Sequence, residues 1–121
     1  MKIPIKSNVR DFYRSLLMLM HSFAPINKLI PKEIEVLAEI MYQNYLNRDI
    51  VQNKRNIIVF STENRAIMRN NLGMAESALN DYLSRIRRKG IITKNNELLP
   101  FLSIIPEDNK YELLIKFSIN E

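Results

Sequence analysis

The sequence predicts a small α+β domain, and three observations support that fold class. Apolar residues recur at helical spacing in the first half of the chain, the only two glycines bracket another helical segment, and apolar residues alternate near the C-terminus. With 121 residues the chain is expected to form one domain, residues 1–121. A chain of that size can bury roughly two-thirds of the surface that its unfolded form exposes.

Two leading helices are predicted. Ser7 is a suitable cap for the first helix, which is expected to stop near Pro25. Its buried face follows from residues spaced three and four apart, namely Val9, Phe12, Tyr13, Leu16, Leu17, Met20 and Phe23. The second helix is expected to begin at Pro31, with an inner stripe of Ile34, Leu37, Ala38, Met41 and Tyr45. Because Val36 and Ile40 fall on another side, this helix is predicted to be covered on two faces.

A strand and a pair of helices are predicted next. The apolar run Ile57–Phe60 has the length of a short buried strand. Ser61 or Thr62 is expected to begin a helix that runs to about Asn71. Gly73 then allows the chain to reverse, and Gly90 ends a second helix in the left-handed conformation that glycine favours. The two helices and their turn occupy about residues 62–89.

Two hairpins are predicted after the second of these helices. Asn95 and Asn96 lie between short apolar runs, and asparagine tolerates the positive φ angles of a tight hairpin turn. Nearer the C-terminus, every odd position of Tyr111–Ile119 is apolar, as in a half-buried strand. We expect Phe101–Ile105 to pair with it across residues 106–110.

Composition excludes several classes of protein. Cysteine is absent, so disulfide frameworks, thiol nucleophiles and cysteine-based zinc sites are excluded. No apolar run approaches the roughly 18 residues of a membrane helix, and the first residues are too polar for a signal peptide. These features predict a cytoplasmic protein with no membrane partner.

The charge of the chain is unevenly distributed. The net charge is +5, and residues 61–95 hold seven Lys and Arg against three Asp and Glu. Residues 96–121 hold two against five. This division suits a protein that places residues 61–95 on a polyanion and turns its C-terminal part away. The alternative is that the excess charge only keeps the domain soluble.

The helix before Gly90 has two dissimilar faces. Leu79, Leu83 and Ile86 share the inner side, whereas the outer side is polar and partly basic. An α-helix fits the major groove of B-DNA, where Arg reads guanine, Asn reads adenine and a carboxylate accepts from cytosine. The candidate DNA-binding residues are Ser77, Asn80, Asp81, Ser84, Arg85, Arg87, Arg88, Lys89, Lys94 and Asn95. Alternatively, the face is merely solvated, with basic residues placed to suit the helix dipole.

Residues Ile67 to Asn96 resemble the winged helix-turn-helix family of DNA-binding proteins. The resemblance rests on Leu72-Gly73-Met74 at the turn, on the inner residues of the second helix, and on Lys89-Gly90-Ile91-Ile92. It implies a winged helix-turn-helix with an extra N-terminal helix, a wing at about residues 91–99 and a C-terminal β-hairpin. It also implies sequence-dependent binding of double-stranded DNA, as a dimer, in transcription or replication control. Ala75 stands where the family commonly has a Ser or Thr cap.

Catalysis is not expected. His21 has no neighbours with triad or metal spacing and is interpreted as structural, while Glu33, Glu35 and Glu39 are interpreted as solvated positions. The sequence therefore predicts no enzyme, cofactor or metal site. The alternative function is a protein-interaction or assembly module, such as a phage structural or accessory subunit. Met18 and Leu19 would then pack on a second copy, unless they cover another part of the same core.

Overall fold

Helices form all the regular structure in the computed structural model, which describes residues 2–120. Their bounds are Val9–Met20 (α1), Pro31–Leu46 (α2), Gln52–Val59 (α3), Thr62–Leu72 (α4) and Glu76–Arg88 (α5). Single 3-10 turns occupy Ile26–Lys28 and Pro100–Leu102. In the part of the chain described, no helix combines the length and the apolar character needed to cross a bilayer.

The second helix, α2, is the centre of the molecule. It contacts α1, α3, α4 and α5. Val36, Leu37, Ile40 and Met41 are completely buried although they lie on different sides of α2. The prediction that this helix is covered on two faces is therefore confirmed. Burial of apolar surface against one central helix is the main source of stability in such an arrangement.

Local signals set the helix ends. Asn8, not Ser7, caps α1, because its side-chain oxygen accepts from the backbone N–H of Asp11 at 2.8 Å. The helix ends at Met20, short of the predicted end near Pro25. Pro31 begins α2 as predicted, and the Glu33 side chain accepts from the N–H of Ile30 at 3.0 Å.

The predicted α+β class is wrong, since neither strand nor sheet forms between residues 2 and 120. The run Ile57–Phe60 is the last turn of α3 and the residue after it, and Ile57 and Ile58 are exposed. Four consecutive apolar residues do not distinguish a buried strand from a helix end. The buried Arg55 holds α3 against the chain that leaves α2, because its guanidinium donates to the carbonyl oxygens of Asn47, Arg48 and Ile50.

The predicted wing at residues 91–99 has no strands. The chain does reverse there, with Asn96 at a φ of 58°, and the N–H of Thr93 donates to the Glu97 carbonyl at 2.8 Å. Only one isolated bridge forms, between Ile92 and Leu98. Pro100 then begins a 3-10 turn, which stops the pairing from extending.

The predicted C-terminal hairpin is also wrong. The chain turns at Asp108 and Asn109, both at positive φ, but only the single bridge Glu107–Lys110 forms. Residues 111–120 have no regular structure and are exposed. A two-stranded ribbon is marginal in water unless another layer covers one of its faces. Within one copy, the aromatic contact that residues 2–120 supply to this segment is that of Phe12 with Tyr111.

Candidate nucleic-acid interface

A helix, a tight turn and a second helix form as predicted in residues 62–88. The Ser61 hydroxyl accepts from the N–H of Asn64 at 3.2 Å and caps α4. Gly73 follows α4 with a φ of 64°, and Gly90 follows α5 with a φ of 77°. Both glycines therefore have the left-handed conformation that the sequence predicted. Ala75 occupies the N-cap position of α5, but its side chain makes no capping hydrogen bond.

The inner face of α5 fixes the orientation of the helix. Leu79, Leu83 and Ile86 are buried, and α5 contacts α2 and α4. This agrees with the predicted inner stripe. Because that side is anchored in the core, the opposite side of α5 is turned to solvent.

Most of the sequence-predicted DNA-binding residues lie on this open side or in the following turn. Eight of the ten are exposed to solvent. The exposed members are Ser77, Asn80, Asp81, Ser84, Arg85, Arg88, Lys94 and Asn95. Arg88 donates weakly to the carbonyl oxygen of Ser84, at 3.5 Å, so its guanidinium remains accessible.

Asp81 and Arg85 form a pair on the exposed face. The carboxylate of Asp81 lies 2.9 Å from the Arg85 guanidinium, which also lies 5.4 Å from the centre of the Tyr82 ring. An exposed pair one helical turn apart adds little stability. It does neutralise the carboxylate, so Asp81 repels a nearby phosphate less than its charge alone suggests.

Arg87 and Lys89 are more constrained than the sequence suggested. Arg87 is half-buried and donates to the Asn96 side-chain oxygen at 2.6 Å. Lys89 turns inward, and its ammonium group binds the carboxylate of Glu33, which is only 1% exposed. Lys89 therefore links the end of α5 to the first turn of α2.

Arg65 and Arg69 of α4 lie beside the start of α5, and the sequence analysis did not include them among the candidate DNA-binding residues. Burial lowers the pKa of Arg87, and the positive charge of Arg65 nearby lowers that pKa further. Arg65 and Arg69 line a cleft of about 150 Å³ between α4 and the start of α5, together with Glu76 and Asn80. Their spacing of four residues on one helix was the available signal.

Five cations of the α4–α5 region and the turn after it have no acidic partner at ion-pair distance among residues 2–120. Within residues 2–120 the ion pairs of the α4–α5 region are Asp81–Arg85 and Glu33–Lys89. We define the basic surface as the remaining cations, which are Arg65, Arg69, Arg87, Arg88 and Lys94. Because no acidic side chain within residues 2–120 offsets these cations at ion-pair distance, the basic surface favours an anion.

The residues interpreted as structural or solvated have mixed outcomes. The Nε2 atom of His21 lies 2.9 Å from the Leu29 carbonyl oxygen, which ties the end of α1 to the following loop. Glu33 and Glu39 are buried, at 1% and 5% exposure, so the solvated interpretation is wrong for both. In residues 2–120, no three His, Asp or Glu side chains form a group able to hold a metal ion.

Comparison of the chain with protein-family models, with curated proteins and with solved structures gives no match.

Proposed function

We propose that this protein binds double-stranded DNA by placing the exposed face of α5 in the major groove. The observation that carries the proposal is the accessibility of that face next to a basic surface without acidic partners. Asn80 suits an adenine and the Asp81 carboxylate suits the amino group of a cytosine, whereas Arg88, near the end of α5, is long enough to reach a phosphate. Ser77 and Ser84 are short enough to let the helix approach the base edges.

The basic surface would bind the DNA backbone on either side of α5. Arg65 and Arg69 come from α4, and Lys94 comes from the turn that follows α5. Contacts to phosphates position a protein on a duplex, whereas contacts to base edges provide the specificity. The helix-turn-helix part of the family resemblance supports this arrangement.

We further propose that binding is sequence-dependent and serves transcription or replication control in the cytoplasm. A single helix in the groove reads only a short half-site, so a dimer would be needed for useful specificity. The chain has no cysteine, so its stability does not depend on the redox state of the compartment, and this is compatible with the proposal.

Salt dependence of binding provides the test. In fluorescence anisotropy with a random-sequence duplex pool, the logarithm of affinity should fall by about 0.9 per log unit of salt for each phosphate neutralised. Arg88→Ala and Arg65→Ala should each reduce that slope by about 1. Lys54→Ala is the charge-matched control, because Lys54 is exposed on α3, outside the basic surface.

Two outcomes would contradict the proposal. One is an absence of salt-dependent binding by the unmodified chain. The other is an equal loss of slope in Lys54→Ala and Arg88→Ala, which would show that only net charge matters.

A protein-interaction or assembly module is the second candidate, favoured by one observation. Met18 and Leu19 on α1 are 62% and 49% exposed, so they do not cover another part of the same core. In such a module, Met18→Gln and Leu19→Gln would disturb assembly, whereas Arg88→Ala would have no effect. A DNA-binding protein should show the opposite pattern.

A further inference from the structure

The C-terminal segment 111–119 has the side-chain pattern of a strand without a strand partner. Its odd positions are apolar, and none of its backbone groups takes part in a backbone hydrogen bond within residues 2–120. Free backbone donors and acceptors beside alternating apolar side chains are the features that lead one strand to add to another. No strand exists in the described chain to receive it.

A second copy of the same segment is complementary to it. In an antiparallel pair centred on Leu114, Glu112 of each copy lies opposite Lys116 of the other, which gives two ion pairs related by symmetry. On the other face, Tyr111 lies opposite Phe117 and Leu113 lies opposite Ile115. Aromatic and aliphatic pairs of this kind stabilise antiparallel strands.

This register also accounts for Leu114. Leu114 is the one large apolar residue at an even position of the segment, and it is 77% exposed. At the centre of the pair it would contact its own counterpart. A register centred on Ile115 instead places Lys116 opposite Leu114 and Glu112 opposite Ser118, so both ion pairs are lost.

Existing contacts do not prevent this pairing. Glu112 lies 3.6 Å from the Lys2 ammonium group, but both side chains are more than four-fifths exposed, and such pairs are weak. The ring of Tyr111 packs edge-on against Phe12 of α1, with centroids 5.5 Å apart. Phe117 of a second copy, opposite Tyr111, would extend this aromatic contact.

We propose that two copies of this chain associate through residues 111–119, which pair as antiparallel strands around a two-fold axis at Leu114. The pairing follows from the C-terminal segment alone and does not depend on DNA binding. Its experiments are therefore done without DNA, and failure of either proposal leaves the other intact.

Cysteine cross-linking tests the register. The chain has no cysteine, so Leu114→Cys introduces a single thiol at an exposed position of the full chain. Residues directly opposite in an antiparallel pair have Cβ atoms roughly 4.5–5.5 Å apart, close enough for a disulfide after a small adjustment. Under oxidising conditions, most of the Leu114→Cys protein should migrate as a disulfide-linked dimer on a non-reducing gel.

Ile115→Cys is the matched control. In the proposed register the two new thiols are diagonal neighbours, roughly 7 Å or more apart, and should cross-link far less. Preferential cross-linking of Ile115→Cys would overturn the register, and equal or negligible cross-linking of both variants would overturn the pairing. Circular dichroism checks that both variants retain the helices.

Charge reversal gives an independent readout, the dimer Kd from sedimentation equilibrium. Glu112→Lys and Lys116→Glu each turn two attractive pairs into repulsive ones, and each should raise the Kd by roughly tenfold. The double variant restores opposite charges and should return the Kd to within about threefold of the unmodified value. A double variant as weak as the single variants would overturn the proposal.

Discussion

The buried Glu39 on α2 connects side chains from α1, α2 and α4 in one hydrogen-bond network. Its carboxylate accepts from Arg10 at 2.8 Å, from Gln43 at 3.0 Å and from Asn71 at 2.8 Å. Glu39→Ala leaves these donors without their acceptor, so we expect a loss of about 2–3 kcal/mol in the free energy of unfolding by urea.

Glu35→Ala on the same helix is the control for that prediction. Glu35 is only partly buried and pairs with the exposed groups of Arg14 and Lys32, so its loss should cost less than about 1 kcal/mol. Equal losses in the two variants would contradict a special role for the network. The sequence could not reveal this network, because its members lie on α1, α2 and α4, far apart along the chain.

We expect the free energy of unfolding to fall at alkaline pH because of the buried Tyr13. Its hydroxyl donates to the Ile104 carbonyl oxygen at 2.7 Å, and burial, with a smaller contribution from Tyr45, raises its pKa above the ordinary value. The folded state thus favours the protonated hydroxyl. The corresponding stability is complete below pH about 10, the pKa in the unfolded chain, and is lost progressively above it.

The Tyr13→Phe variant tests this assignment. At pH 7 the free energy of unfolding of this variant should be about 1 kcal/mol lower than that of the unmodified chain, because one hydrogen bond is missing. Between pH 9 and pH 11, which roughly bracket the pKa of tyrosine in the unfolded chain, its free energy of unfolding should fall less than that of the unmodified chain. Urea unfolding at both values provides the measurement, with Tyr82→Phe as the control. The assignment fails if Tyr13→Phe has the same alkaline slope as the unmodified chain.

At the level of elements, α5 begins without a side-chain cap. Ala75 has the extended backbone of a capping residue, with φ of −73° and ψ of 158°, but no oxygen to accept from the first turn. Ala75→Ser should therefore raise the free energy of unfolding by about 1 kcal/mol and increase the melting temperature. Ala78→Ser, inside the same helix, should give no such gain, and similar gains in both variants would contradict the capping explanation.

Local chemistry made the helices predictable, whereas it misled us about the strands. The start of α2 at Pro31 and the turn at Gly73 depend on a few neighbouring residues, and both were correct. Residues 57–60 and 111–119 were predicted as strands, but a strand requires a partner that local sequence does not specify. The residues on the outer face of α5 could be predicted from the helical periodicity. The position of Arg65 beside α5 and the ion pair of Glu33 with Lys89 could not, because they depend on how separate helices pack.

For the whole molecule, we expect the C-terminal segment to contribute little to the stability of one copy. Residues 112–120 are exposed, so a chain that ends at Tyr111 should keep its free energy of unfolding within about 1 kcal/mol at concentrations where the full chain is monomeric. Leu37→Ala in the core shows that the assay is sensitive, since it should cost roughly 2–5 kcal/mol. A comparable loss in the shortened chain would contradict the prediction.

The ion pair between Lys89 and Glu33 joins the C-terminal end of α5 to the first turn of α2, while the short turn at Gly73 joins the N-terminal end of α5 to α4. Two attachments therefore fix the angle of α5 within one copy. If the chain binds DNA as proposed, a duplex would have to adapt to this fixed helix, and we expect easily kinked sequences to be preferred even at positions that no side chain contacts.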